Sequence, residues 1–90
     1  MLKNLEELIN IIKKRKINPK NSSYTNKLLN DKKLSIEKIK EEIGELIEAI
    51  NKNSNKIHES ADVIYHLMVL LEANDIKIED VMEELKKRQK

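Results

Sequence analysis

Two runs of acidic residues have a spacing that chemistry can use. Glu41, Glu42, Glu45 and Glu48 form the first; Glu59 and Asp62 form the second, followed one turn later by His66. At about 100° per residue, Glu42 falls beside a stripe of isoleucines, Glu45 lies about 60° further round, and Glu41 and Glu48 fall on the far side. Alone, this run reads most simply as a solvated acidic face balanced by Lys38 and Lys40. The second run is different, because Glu59, Asp62 and His66 share one narrow stripe of a segment that is otherwise largely apolar from Ala61 to Leu71. A carboxylate there carries a desolvation cost unless a cation or several donors compensate it, and a second acid one turn away adds repulsion. A metal ion resolves the conflict. Two helices, each offering two carboxylates three residues apart, supply hard oxygen ligands that suit magnesium or manganese better than zinc. Glu42, Glu45, Glu59 and Asp62 are therefore the expected metal ligands. His66 reads as a donor to a ligating carboxylate, as a phosphate contact, or as a satisfied core histidine.

The elements that must position these groups follow from apolar periodicity. Leu2, Leu5, Leu8, Ile9 and Ile12 predict a first helix over about 3–16, ended by Asn18 and Pro19. Residues 17–22 read as a loop, after which Ser22 or Ser23 can cap a short helix reaching about Asn30. Ser35 offers the next cap, and Ile36, Ile39, Ile43, Leu46, Ile47 and Ile50 mark a helix over about 36–52. The polar run from Asn51 to Asn55 is turn-forming, and a fourth helix continues from it to about Ala73. A fifth carries Ile78, Val81, Met82 and Leu85 before a charged tail, Lys86 to Lys90, expected to fray. The short connection predicts that the third and fourth helices pack antiparallel.

One Gly and one Pro in 90 residues leave few breakers, so the chain reads as one all-α domain over 1–90. With no Phe, no Trp, and only Tyr24 and Tyr65 as aromatics, its core must be aliphatic. The 18 basic and 16 acidic residues are interleaved, and a balance of +2 indicates neither a nucleic-acid partner nor a membrane surface. Without cysteine there is no disulfide, thiolate chemistry or Cys-based zinc site. The N-terminal segment, which carries Glu6 and Glu7, lacks the long apolar run of a signal peptide, and Val63 to Leu71 is too short to span a bilayer. A soluble cytoplasmic protein is expected. The fourth helix is apolar around most of its circumference, more than one small chain can cover, so a homodimer is expected, burying faces of the third and fourth helices in a shared bundle.

Glu41-Glu42-Ile43-Gly44-Glu45 followed by Glu59-Ser60-Ala61-Asp62 resembles the signature of the all-α, MazG-like nucleotide pyrophosphohydrolase superfamily. Four further pieces narrow the resemblance: Leu5 to Lys16 with Pro19, Ser23-Tyr24-Thr25-Asn26-Lys27-Leu28-Leu29, Ala61-Asp62-Val63-Ile64-Tyr65-His66-Leu67-Met68-Val69-Leu70-Leu71, and Ile78-Glu79-Asp80-Val81 with Glu84 to Arg88. In that order they are similar to the phosphoribosyl-ATP pyrophosphohydrolases of histidine biosynthesis, over nearly the whole chain. Two places depart from the family pattern: Lys40 stands where a Gly is usual before the double Glu, and the connection between the acidic motifs is shorter.

The resemblance implies a helical homodimer that cleaves phosphoribosyl-ATP to phosphoribosyl-AMP and pyrophosphate with magnesium, Glu41 or Glu42 serving as base for the attacking water. Ser23, Tyr24, Lys27, Arg15 and His66 become candidate substrate contacts, with Lys16 and Thr25 beside them. Each also has a plainer reading as a solvated charge or a helix start. Two rival readings keep the same residues: a house-cleaning nucleoside triphosphate pyrophosphatase, and a non-catalytic helical dimerisation module whose acids are surface charge.

Overall fold

Each periodic segment closes its own backbone hydrogen bonds as an α-helix, giving α1 (Lys3–Ile17), α2 (Tyr24–Leu29), α3 (Lys32–Lys52), α4 (Lys56–Ala73) and α5 (Ile78–Arg88). This computed structural model describes residues 1–20 and 22–89, and among them no strand occurs, as the all-α, five-helix reading requires. Asn21 of the expected loop and Lys90 of the charged tail lie outside the described residues.

The helix ends agree with the sequence reading in part. Of the two candidate serines, Ser23 caps α2, its side chain accepting from the Asn26 amide at 3.4 Å. α3 begins one turn earlier than predicted, because Asp31 caps it by accepting from the Leu34 amide at 3.0 Å. Ser35 is therefore inside the helix, buried, and its hydroxyl donates to the Leu28 carbonyl at 2.5 Å, tying α3 to α2. α5 runs through Arg88, into the charged tail, and Arg88 Nε donates to Glu84 at 3.2 Å.

Between α3 and α4, Asn53 and Asn55 both take the left-handed conformation, with φ of 55° and 54°. Asparagine tolerates this region better than most residues. The turn sends α4 back along α3, and these two helices make the most extensive contact in the fold. The core sits to one side of them: Ile12, Leu28, Leu29, Val69 and Ala73 are buried together, with Leu8, Leu34, Tyr65 and Met68 packed against them. Burial of each large aliphatic side chain there contributes about 1.5–3 kcal/mol.

The predicted isoleucine stripe splits in two. Ser35, Ile39 and Ala49 are buried, with Glu42 and Leu46 half-buried on the same face. Ile36, Ile43, Ile47 and Ile50 lie about a quarter turn away and stay between 42% and 56% exposed. α4 likewise exposes Ile57, Ile64 and Leu67, while Glu59, Asp62, His66, Val69 and Ala73 occupy its buried and half-buried side. The accessible surface of 7008 Å² exceeds the roughly 5,500 Å² of a compact monomer of this mass. The radius of gyration, 14.1 Å, likewise exceeds the roughly 12 Å of a compact chain this long.

Candidate metal and substrate site

The half-buried side of α4 meets α3 in a cluster of acids. Carboxylate oxygens of Glu42, Glu45 and Glu59 lie within 4.8 Å of one another, and His58, Glu59 and Asp62 form a second such group. Glu59 belongs to both, so the two helices build one continuous acidic patch from the four expected ligands. Oε2 of Glu42 and Oε2 of Glu59 are buried without a hydrogen-bond partner. Burial raises the pKa of the Glu42 carboxyl, as do Glu45 and Asp62, while His66 opposes the shift. Glu59 is raised by the same causes, burial first and then Glu45 and Asp62, with His58 opposing.

Among the ion pairs of the described residues, none joins these four acids to a Lys or Arg. His58 lies beside one of them, with Nε2 3.4 Å from Asp62 Oδ2. Oxygen donors from two helices, two of them orphaned and none neutralised by a lysine, fit a hard divalent cation of the magnesium or manganese kind. The sequence reading missed His58. Its i, i+4 spacing to Asp62 was the available signal, obscured by its place in the exposed first turn of α4.

The other acids are arranged differently. Glu41 is exposed and accepts from Lys38 at 3.4 Å, apart from the cluster. Glu48, expected on the far side of α3, lines the same cleft as Glu45 and Glu59. Its carboxylate turns to Lys52 at 2.5 Å, and that pair lowers its pKa.

Three of the candidate substrate residues, Ser23, Tyr24 and Lys27, line a second, open cleft of 530 Å³ that begins at Pro19. Arg15 stands behind it with its Nε buried and unpaired, and its carbonyl accepts from Asn26 Nδ2 at 2.8 Å. Lys16 is engaged elsewhere, donating to the Glu72 carbonyl at 2.7 Å and to Asp75. Asn26 is a positioning residue that the sequence reading left without a role. Buried, it also accepts from the Lys20 amide at 2.7 Å, and so holds the α1–α2 connection as one wall of the cleft.

Tyr24 and His66 link this cleft to the acidic patch. His66 is 7% exposed, and its Nδ1 donates to the Asp62 carbonyl at 2.9 Å. In the neutral ring that leaves Nε2 as acceptor for the Tyr24 hydroxyl at 3.2 Å. The Tyr24 pKa is raised, by burial first and also by Tyr65, Glu42 and Glu41 against Lys38, which keeps the phenol a donor. Beside it, Thr25 Oγ1 and Tyr65 Oη share a 2.5 Å hydrogen bond. α2 is thus joined to α4 at the turn that carries Asp62.

Comparison with known proteins places similar chains in one family. The family described as phosphoribosyl-ATP pyrophosphohydrolase matches residues 5–89. The chain is 44% identical to a phosphoribosyl-ATP pyrophosphatase of Methanocella arvoryzae, over 96% of both proteins. It is 48% identical to one from Clostridium novyi, over 96% of this chain and 81% of that protein. A histidine biosynthesis bifunctional protein of Pyrococcus furiosus is 46% identical over 96% of this chain, which corresponds to 41% of that longer protein.

Proposed function

The chain belongs to the phosphoribosyl-ATP pyrophosphohydrolase family, and from that premise we infer that it hydrolyses phosphoribosyl-ATP to phosphoribosyl-AMP and pyrophosphate, the second step of histidine biosynthesis. The observation that carries the reading is the pair of buried, unpartnered carboxylate oxygens on Glu42 and Glu59, in a patch that no lysine neutralises. A folded protein leaves such groups uncompensated only at a cost, and a divalent cation with a polyphosphate removes it.

Glu42, Glu45, Glu59 and Asp62 hold magnesium in this reading. When bound, the ion supplies charge neutralisation for the polyphosphate and lowers the pKa of water. The chain's own groups do the rest. Water opens the anhydride between the α and β phosphorus atoms, one product keeping the ribosylated adenylate and the other leaving as pyrophosphate. Glu42, whose Oε2 has no hydrogen-bond partner in the patch, is better placed than Glu41 to accept the proton of that water, since Glu41 is exposed and tied to Lys38. Lys27 and the residues around it bind the substrate in the α2 cleft.

The same reading includes a homodimer. Its supports are the exposed isoleucines of α3 and α4 and about 1,500 Å² of surface beyond that of a compact monomer, more than the roughly 800 Å² per partner of a standard interface. Among the described residues no helix is long and apolar enough to cross a membrane, in keeping with the small-molecule partner and cytoplasmic setting we assign.

Turnover of phosphoribosyl-ATP with magnesium and with excess chelator tests the activity. Expected are phosphoribosyl-AMP and pyrophosphate in equal amounts with the metal and neither without it. Equal rates in both, or a preference for ordinary nucleoside triphosphates, would reject the reading. Light scattering at micromolar concentration tests the dimer, and a monomeric mass would reject that part alone.

A further inference from the structure

A chain that fills its core with Ile, Leu, Val and Ala has little packing need for aromatic rings, and only two occur in 90 residues. Both stand together. The rings of Tyr24 and Tyr65 are stacked with centroids 6.5 Å apart and planes 18° apart. His66 meets Tyr65 edge-on at 5.0 Å and Tyr24 at 6.0 Å. His66 is buried and Tyr65 half-buried, yet Tyr24 remains 47% exposed and borders the α2 cleft. A core aromatic would be buried and a chance surface tyrosine would be mobile. Tyr24 is neither, because its hydroxyl is fixed on His66 and one side of its ring lies against Tyr65.

We propose that Tyr24 is the nucleobase platform of this enzyme, its uncovered ring stacking on the purine of the nucleotide, with His66 and Tyr65 as the residues that hold the ring in place. This rests on the phosphoribosyl-ATP reading of the site and adds the half of the substrate that the carboxylates do not address. An exposed, pre-ordered ring has little rotamer freedom left to lose when a base stacks on it. Every purine offers a π-face, so one ring suffices without hydrogen-bond matching. The 530 Å³ cleft lies within the range of small-molecule sites. Ser23 and Lys27 in its lining are placed to meet the ribose and phosphate groups that flank the base. The hydrogen bonds from Tyr24 through His66 to the Asp62 carbonyl set the platform at a fixed place relative to the metal-ligand turn.

The two products separate the two halves of the site, since phosphoribosyl-AMP carries the base and pyrophosphate does not. Their inhibition constants are measured on wild type, Tyr24→Leu and Asp62→Asn, using residual turnover or direct calorimetry. Tyr24→Leu should weaken phosphoribosyl-AMP by about tenfold or more and leave pyrophosphate within about twofold, and Tyr24→Phe should recover most of the loss by restoring the ring. Asp62→Asn should show the reverse selectivity. Unchanged phosphoribosyl-AMP binding in Tyr24→Leu, or equal weakening of both products, would overturn the platform. Unchanged pyrophosphate binding in Asp62→Asn would overturn the metal reading and leave the platform standing. Tyr24→Trp provides an arm independent of the leucine variant's folding, because it would be the only indole in the chain. Its fluorescence should be quenched by phosphoribosyl-AMP and not by pyrophosphate; the absence of quenching by the nucleotide also overturns the proposal.

Discussion

Two regions of this molecule use the same residue types to opposite effect. Where α1 meets the end of α4 and the start of α5, Lys13 pairs with Glu79 at 2.8 Å and Lys16 pairs with Asp75. There the lysines hold both carboxyls below their ordinary pKa values, and Lys16 also caps the end of α4 through the Glu72 carbonyl. Where α3 meets α4, Glu42 and Glu59 are driven above their ordinary values by burial and by each other's neighbours. One corner is electrostatically complete. The other keeps two carboxylate oxygens without a partner and no lysine or arginine ion pair among the described residues, and that contrast separates the two regions better than the number of acids does.

The sharpest way to break the contrast is to remove one charge from each region. Asp62→Asn or Glu45→Gln should lower turnover of phosphoribosyl-ATP by more than about a hundredfold at saturating magnesium, since loss even of a group that only supports a metal ligand costs about 10–100-fold. Glu79→Gln, the matched change in the compensated corner, should leave kcat/KM within about twofold. Near-normal turnover in Asp62→Asn and Glu45→Gln would end the assignment of these acids. Glu48→Gln should also remain active, because Lys52 already neutralises that carboxylate.

Metal titration is the next largest effect. If the α3–α4 patch lacks a cation, magnesium at about one hundred times its dissociation constant should stabilise the fold by about 2.7 kcal/mol, a rise of roughly 10–20 °C in melting temperature for a small domain. The Asp62→Asn protein should respond much less. A melting temperature indifferent to millimolar magnesium in wild type would remove the metal from this reading.

Acid titration without metal compares the two regions directly. A carboxyl whose folded pKa is raised above the ordinary 4.5, as for Glu42, penalises the fold when ionised. That penalty is present above the raised value and is relieved as pH falls through it. Chelator-treated Glu42→Gln should therefore be more stable than wild type at pH 7, with the gap closing as the pH is taken below about 4.5. Glu79, lowered by Lys13, behaves in reverse: its stabilisation is present above 4.5 and is lost as pH falls through its folded value. Denaturant midpoints at several pH values for Glu42→Gln and Glu79→Gln should thus diverge from wild type with opposite sign. Shifts of the same sign would erase the distinction.

The smallest effect belongs to the exposed ion pairs themselves. Lys13→Met should barely change the melting temperature at neutral pH, and the change should vanish near 1 M salt, about where screening reaches 3 Å. A large, salt-insensitive loss would mean that α5 depends on this contact far more than its exposure suggests.

Much of this was legible in the residues. Helical periodicity, caps and turn residues located all five helices, and the placement of Glu59, Asp62 and His66 along an apolar segment marked the acids of α4 as costly. Helix starts were less legible because several residues can cap, and Asp31 prevailed over Ser35 once Ser35 could donate to Leu28 from inside the helix. The split of the isoleucines was not legible at all. On a helical wheel Ile39 and Ile43 are neighbours, yet one is buried against the fold and the other is 44% exposed.

By itself, then, the chain determined its helices, its aliphatic core and the set of acids, because these depend on residue type and on spacing of three and four along one segment. Only the tertiary structure decided which acids share a site. Two left-handed asparagines turn α4 back along α3, which brings Glu59 to Glu42 and Glu45, while Glu41 is left to Lys38 and Glu48 to Lys52. The same packing gave Tyr24 its hydrogen bond to a histidine 42 positions away. Burial and charge compensation belong to the neighbours a residue acquires in three dimensions, and those depend on how the helices pack as well as on the residue's own type and spacing.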